Sequence, residues 1–190
     1  MTLSVVLAAL AGVATWTLLE YVLHRFLGHD SRTQPNFFSR EHTRHHGEGN
    51  YFAPAWKKGI AALAATALVA PLAIFAGGVA AGSAYTAGLI GMYLAYEWVH
   101  LRAHTHPGIG AYGRFLRRHH FSHHFTDPKR NHGVTTPIWD LVFGTFAPAP
   151  RIRVPRRLAM AWLVDPVTRE LREASSGTYE LVGPDLRAPR

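Results

Sequence analysis

Residues 79–104 read VAAGSAYTAGLIGMYLAYEWVHLRAH, an apolar run that carries no charge until Glu97 and then meets His100 and His104. The uncharged part, Val79 to Tyr96, has 18 residues, at the short end of the roughly 17–25 that a membrane-spanning helix needs. Continued helically to His104, the stretch would be about 39 Å long at ~1.5 Å per residue. Such a helix would cross the hydrocarbon of a bilayer and project Glu97, His100 and His104 into the headgroup layer. An oily helix ending in paired imidazoles predicts a membrane protein with polar chemistry at the membrane border.

Working outward, Ile60 to Phe75 is a second apolar stretch, introduced by Lys57-Lys58 and closed by Gly77-Gly78. Leu3 to Leu19 is another, broken only by Ser4, Gly12, Thr15 and Thr17 among small or hydroxyl residues. No Lys or Arg precedes it, and it runs into Glu20-Tyr21-Val22-Leu23-His24 without a cleavage site, so it is expected to be a membrane helix rather than a cleaved signal. The sequence thus predicts three transmembrane segments, at about 3–23, 58–76 and 79–101.

Charge orients them. Arg25, Arg32, Arg40, Arg44, Lys57 and Lys58 lie between the first and second segments, and Arg102, Arg114, Arg117, Arg118, Lys129 and Arg130 follow the third. The N-terminus and the 77–84 turn carry neither Lys nor Arg, so both basic regions are expected in the cytoplasm. The host membrane would be the inner membrane of a bacterial cell or the endoplasmic reticulum of a eukaryotic one. The net charge of +8 then follows from topology, and with no nucleic-acid motif present, nucleic acid is not an expected partner. Arg114, Arg117 and Arg118 are candidates to hold acidic lipid headgroups or an acidic redox protein, beside their plain topological use.

Ten of the thirteen histidines fall into four clusters: His24 and His29; His42, His45 and His46; His100 and His104; His120, His123 and His124. On a helix, i and i+4 lie about 40° apart and i and i+3 about 60° apart, so the last three clusters each suit one helical face. His24 and His29, five apart with Gly28 between them, need a bend at the end of the first helix to chelate together. With no cysteine in the chain, thiolate and iron–sulfur sites are excluded and a metal must be held by nitrogen and oxygen. Ten imidazoles suit two divalent ions with about five nitrogens each, and iron, zinc, manganese or copper would accept such ligands. Glu20, four before His24, and Glu97, three before His100, are placed to accept the far ring N–H of a ligand. His106, His119 and His132 are expected at the surface or behind the ligands rather than on the metal.

After Phe146 the chain turns polar, with Pro148, Pro150, Pro155 and Arg151, Arg153, Arg156, Arg157. We divide it into a membrane-embedded part, 1–147, and a basic cytosolic segment, 148–190, whose end from Ser175 is expected to be a loose tail. Gly110 to Leu116 is expected to form a short amphipathic interfacial piece. The fold class is all-α: a multi-pass transmembrane helical bundle with a cytosolic, histidine-rich helical cap holding a dinuclear metal site.

The ordered histidine clusters resemble those of the fatty acid hydroxylase/sterol desaturase superfamily of integral-membrane di-iron enzymes. So does the stretch from Asn131-His132-Gly133 through Trp139-Asp140 to Phe143-Gly144-Thr145, and so does Glu20-Tyr21-x2-His24-Arg25 at the first cluster. The resemblance covers about residues 16–147. It implies that the ten clustered histidines ligate two iron ions, with zinc possible in purified protein, and that O2 is a co-substrate. Against the family's usual four spans, three segments here imply a shortened first hairpin. No cytochrome b5-like domain is recognisable, so electrons are expected from a separate cytochrome b5-like protein, ferredoxin or flavin reductase.

The implied reaction is O2-dependent attack on an unactivated C–H bond of a fatty acyl, sterol or related membrane lipid, giving an alcohol. Carotenoid hydroxylation and lipid desaturation are the alternatives within the superfamily. Outside enzymes, a metal transporter or storage protein is the alternative, although that use favours ligands midway along the spans.

Overall fold

A computed structural model describes residues 2–184. The chain forms two compact units, one from residues up to Glu20 together with Ala53–Trp98, the other from Tyr21–Phe52 and the chain from Val99 onward.

The first unit is built from α1 (Thr2–Val22) and α2 (Ala55–Thr105), whose last turns belong to the second unit. Gly78, at φ 77° and ψ 168°, interrupts α2, a conformation that suits a residue without a Cβ. The chain folds back there: a Cβ on Gly82 would lie 2.4 Å from the backbone nitrogen of Ile74. Farther along the hairpin, Tyr93 Oη donates to the Lys58 carbonyl at 3.2 Å and Lys58 Nζ meets Glu97 Oε2 at 2.5 Å.

α1 runs parallel to the second limb. Gly88 sets its backbone against Ala9, and Gly12 against Tyr85 and Leu89; a Cβ at either glycine would fall 2.1 Å from the facing carbonyl oxygen. Trp16 packs on Tyr93 with ring centroids 4.7 Å apart, and Tyr85 Oη donates to Thr15 Oγ1 at 3.1 Å. Small residues that let backbones touch are the usual means of joining helices in lipid, where apolar burial supplies no drive. Outward, Leu3, Leu63, Leu72, Phe75 and Val79 are exposed, Phe75 to 93%. Thr2–His29 and Ala55–Thr105 are long and apolar enough to cross a membrane, and their bare hydrocarbon calls for apolar surroundings.

The second unit holds the short elements. α1 continues as a wider, π-helical turn, Leu23–His29. α3 (Phe37–Glu48) starts at a capping box in which Asn36 Oδ1 accepts from the Ser39 N–H and Ser39 Oγ accepts from the Asn36 N–H. α4 (Gly110–Phe125) extends the expected interfacial piece by several turns. Arg117 donates to the carbonyls of Arg102, His106 and Gly113 at 2.7–3.0 Å, and Arg118 to that of Ala149 at 2.6 Å. Arg117 therefore spends its guanidinium on backbone carbonyls at and beyond the end of α2, among them Arg102 O, which also accepts the His106 N–H at 3.0 Å, while Arg118 gives its Nε–H to backbone. Arg114 is exposed.

A five-residue α5 (Ile138–Val142) precedes the C-terminal part. The fold departs from all-α here: β1 (Ile152–Pro155) pairs in parallel with β2 (Tyr179–Val182), Ile152 opposite Tyr179. Ile152, Val154, Met160, Leu163 and Tyr179 form a core with Phe121 of α4. The expected loose tail is thus a packed strand as far as Val182, because Tyr179 is needed to close that core. Residues 185–190 of the tail lie outside the described residues.

Candidate metal centre

All ten clustered histidines belong to the second unit, and the fold sorts them into two groups of five. His24, His29, His42, His46 and His123 form one; His45, His100, His104, His120 and His124 form the other, with the candidate ligand atoms of each group within 4.8 Å of one another. The clusters are not themselves the sites. In each His-x2-His-His pattern the i, i+4 pair serves one group and the middle histidine serves the other: His42 and His46 against His45, His120 and His124 against His123. The groups adjoin where His46 stacks on His124, with ring centroids 3.9 Å apart and planes at 4°.

Local structure delivers the rings. On an α-helix His24 and His29 would point about 140° apart; the π-helical winding of Leu23–His29 widens the turn and brings both to one side. That winding replaces the expected bend. Gly28 makes room, since a Cβ there would sit 3.1 Å from His42 Cδ2. The end of α2 contributes His100 and His104, and α4 the remaining three.

Three rings have their tautomer fixed by carbonyls, which only accept. His24 Nδ1 donates to His132 O at 2.5 Å, His45 Nδ1 to Tyr51 O at 2.6 Å and His123 Nδ1 to Arg130 O at 2.7 Å. A neutral imidazole carries one N–H, so Nε2 of each is a bare lone pair. His24 Nε2 lies 3.1 Å from His42 Nε2, which lies 2.7 Å from His29 Nε2, itself 2.9 Å from His123 Nε2. Single protons cannot satisfy this row. If His42 and His29 carry the protons that His24 and His123 need, those two protons collide across the 2.7 Å gap. A cation among the nitrogens meets every lone pair at once. In the second group His100 Nε2 faces His45 Nε2 at 3.0 Å and His104 Nε2 faces His120 Nε2 at 2.9 Å. Buried nitrogens without a hydrogen-bond partner among the described residues add to the case: His46 Nε2 and both nitrogens of His124.

The protonation states agree. Burial first, then neighbouring imidazoles, holds His42, His120, His123 and His124 well below the ordinary 6.5 and His46 at about 3. At neutral pH these rings are uncharged, as ligation requires. An all-nitrogen donor set fits iron, zinc, copper or nickel and suits magnesium or calcium poorly.

Of the carboxylates considered as supports, Glu97 pairs with Lys58, and Glu20 is buried, both in the first unit. His106 is exposed, its Nδ1 2.8 Å from Thr105 Oγ1. His119 is buried and donates Nε2–H to Asp140 Oδ2 at 3.0 Å. His132 is buried beside the first group, its ring 5.3 Å from that of His123. No residue pattern marks the three backbone carbonyls, since every residue type offers one. Asp140 is likewise without a role in the sequence reading. Asp140 is fully buried and accepts from His119, Thr145, His132 N and Gly133 N. Burial opposes its charge, but the hydrogen bonds from His119, Thr145 and Gly133 outweigh it and keep the carboxyl below its ordinary range.

Comparison with known proteins gives a consistent picture. The sequence model described as "Fatty acid hydroxylase" matches residues 9–145. The chain is 33% identical over 152 residues to the dihydroceramide fatty acyl 2-hydroxylase FAH2 of Arabidopsis thaliana, covering 70% of this chain and 58% of that protein. It is 35% identical over 144 residues to the ceramide very long chain fatty acid hydroxylase scs7 of Schizosaccharomyces pombe, covering 72% and 41%. The fatty acid 2-hydroxylase of Homo sapiens is 29% identical over 150 residues, covering 72% and 38%. A solved structure described as full-length scs7p with only the hydroxylase domain visible superposes with a TM-score of 0.56 at 27% identity, covering 75% of this chain and 59% of that one. The chain thus spans between about two fifths and three fifths of the length of these relatives.

Proposed function

The chain belongs to the fatty acid hydroxylase family, and from that premise we propose that it hydroxylates a membrane lipid in an O2-dependent reaction at a dinuclear iron centre. The observation that carries the proposal is the pair of five-imidazole groups in contact through His46 and His124. His24, His29, His42, His46 and His123 would hold one ion, and His45, His100, His104, His120 and His124 the other. When bound, the iron pair supplies activation of O2 and oxidation of a C–H bond; zinc would fill the same nitrogens without redox chemistry. The substrate class is a fatty acyl chain, free or within a ceramide, by likeness to the relatives' names, oxidised next to the carbonyl by likeness to the two named 2-hydroxylases. Those names favour this reading over a carotenoid hydroxylase, a desaturase or a metal transporter.

The protein's part is to bind, orient and exclude water. Carbonyls of His132, Tyr51 and Arg130 aim Nε2 of His24, His45 and His123 inward, and burial keeps the rings neutral. Glu20 and Glu97 are proposed as carboxylate supports, Glu97 also pairing with Lys58. Three apolar segments would cross the membrane, the Lys and Arg bias putting the histidine-bearing stretches on the cytoplasmic side. Electrons would come from a separate redox protein. The test is purified chain in lipid vesicles with a reducing system, read by mass spectrometry and metal analysis. Two irons per chain and a lipid gaining one oxygen are expected. O2 consumption without an oxidised lipid would overturn the activity.

A further inference from the structure

We infer that Asp140 is a positioning residue that acts on His24 through a peptide group, charging the first metal group and not the second. This rests on the ligand set proposed above. The His132–Gly133 peptide is bonded at both ends: its carbonyl accepts from His24 Nδ1 at 2.5 Å, and its N–H donates to Asp140 Oδ2 at 2.8 Å. A carboxylate on the N–H side draws that proton, raises the negative charge on the carbonyl oxygen and strengthens the bond on the far side. The result is a carboxylate–peptide–histidine relay. It does what a carboxylate bonded directly to a ligand does, fixing the tautomer and raising the basicity of Nε2. The advantage of the peptide is distance, because the charge stays away from the metal pocket.

The surroundings are built for that geometry. A Cβ on Gly133 would lie 2.1 Å from Thr136 O and 3.1 Å from Asp140 Oδ2, so no other residue brings this peptide so close. Asn131, at φ 57°, turns the chain into the loop. Asp140 Oδ1 is pinned by the His132 N–H at 2.8 Å and by Thr145 Oγ1 at 2.7 Å, and Oδ2 by His119 at 3.0 Å. Thr145 Oγ1 lies 3.0 Å from Tyr21 Oη, which accepts from Arg25 at 2.7 Å. The peptide behind His123 differs: its N–H, from Asn131, goes to the neutral carbonyl of Thr145 at 3.0 Å. Only His24 therefore feels the carboxylate in this way among the rings of its group bonded to carbonyls.

The test uses the zinc-loaded full chain in detergent, titrated with a chelator. Wild type is expected to release two ions at similar chelator levels; release of none would sink the ligand set itself, separately from this inference. In Asp140→Asn, one ion is expected to leave about 10–100-fold more readily while the other is unchanged. Should Asp140→Asn fold poorly, the pair Asp140→Asn with His119→Gln restores a neutral buried hydrogen bond and is expected to keep the same one-ion defect. Loss of both ions alike, no loss, or recovery of wild-type retention in the double variant overturns the relay. A reading on wild type needs no variant: among the His24, His45 and His123 ring protons, that of His24 should resonate furthest downfield, and the opposite order overturns the inference too.

Discussion

At the scale of single residues, neighbours in sequence fall into different histidine groups. His45 and His46 are adjacent, yet the roughly 100° between consecutive helical positions turns them to different groups, and the same holds for His123 and His124. A prediction follows from this sorting. His123→Ala and His120→Ala should each lower tightly held metal from two ions to about one per chain, and the two together should leave about none, because they strike different groups. If each histidine cluster instead made one site, both substitutions would hit the same ion and the double variant would retain the other. Metal analysis of the three purified proteins after dialysis against a weak chelator decides between the schemes. The membership of each cluster was legible in the sequence from i, i+3 and i+4 spacing. Its division was not, since spacing fixes only angles around one helix and the partner helices set the rest.

At the scale of elements, the apolar runs and the Gly77-Gly78 break were legible because lipid-facing helices show themselves by length and composition. The π-helical turn at Leu23–His29 was not, because a five-residue spacing admits several local geometries and tertiary demand selects one. β1 and β2 were missed for a related reason: each is four residues, and a parallel pair separated by a long crossover leaves no turn signal between its strands. Helix contact, by contrast, rests on identifiable glycines. Gly88 meets Ala9 O at a distance no Cβ tolerates, whereas a Cβ on Gly91 would meet nothing within 4 Å. Gly88→Leu is therefore expected to push α1 off the hairpin and cost about 1–3 kcal/mol. Gly91→Leu, one turn away, should be near neutral. Thermal unfolding of both variants in the same detergent, with equal losses counting against the glycine contact, checks the claim.

At the scale of the whole molecule, chemistry and stability share one helix. α4 carries His120, His123 and His124, and between them Phe121, which is fully buried in the core made by Ile152, Val154, Met160, Leu163 and Tyr179. Trp162 adds a hydrogen bond to the Ala103 carbonyl at 3.1 Å, one residue before His104. The C-terminal part, which composition alone marked as a polar, basic appendage, is thus the support on which the histidine helix rests. Its basic surface hid a core of only a few apolar residues, too sparse to stand out from the Arg and Pro around it. The consequence is a coupling that can be measured. Leu163→Ala removes a fully buried side chain and should cost about 2–5 kcal/mol through lost transfer energy and a residual cavity. Because Leu163 packs in the core that holds α4, the second metal group should loosen as well, although Leu163 belongs to neither histidine group. Arg153→Gln, an exposed change on the same strand pair, should alter neither quantity. Melting temperature and chelator-resistant metal, measured side by side, should fall together in Leu163→Ala; a drop in stability with full metal retention would show that the C-terminal part folds beside the site without bracing it.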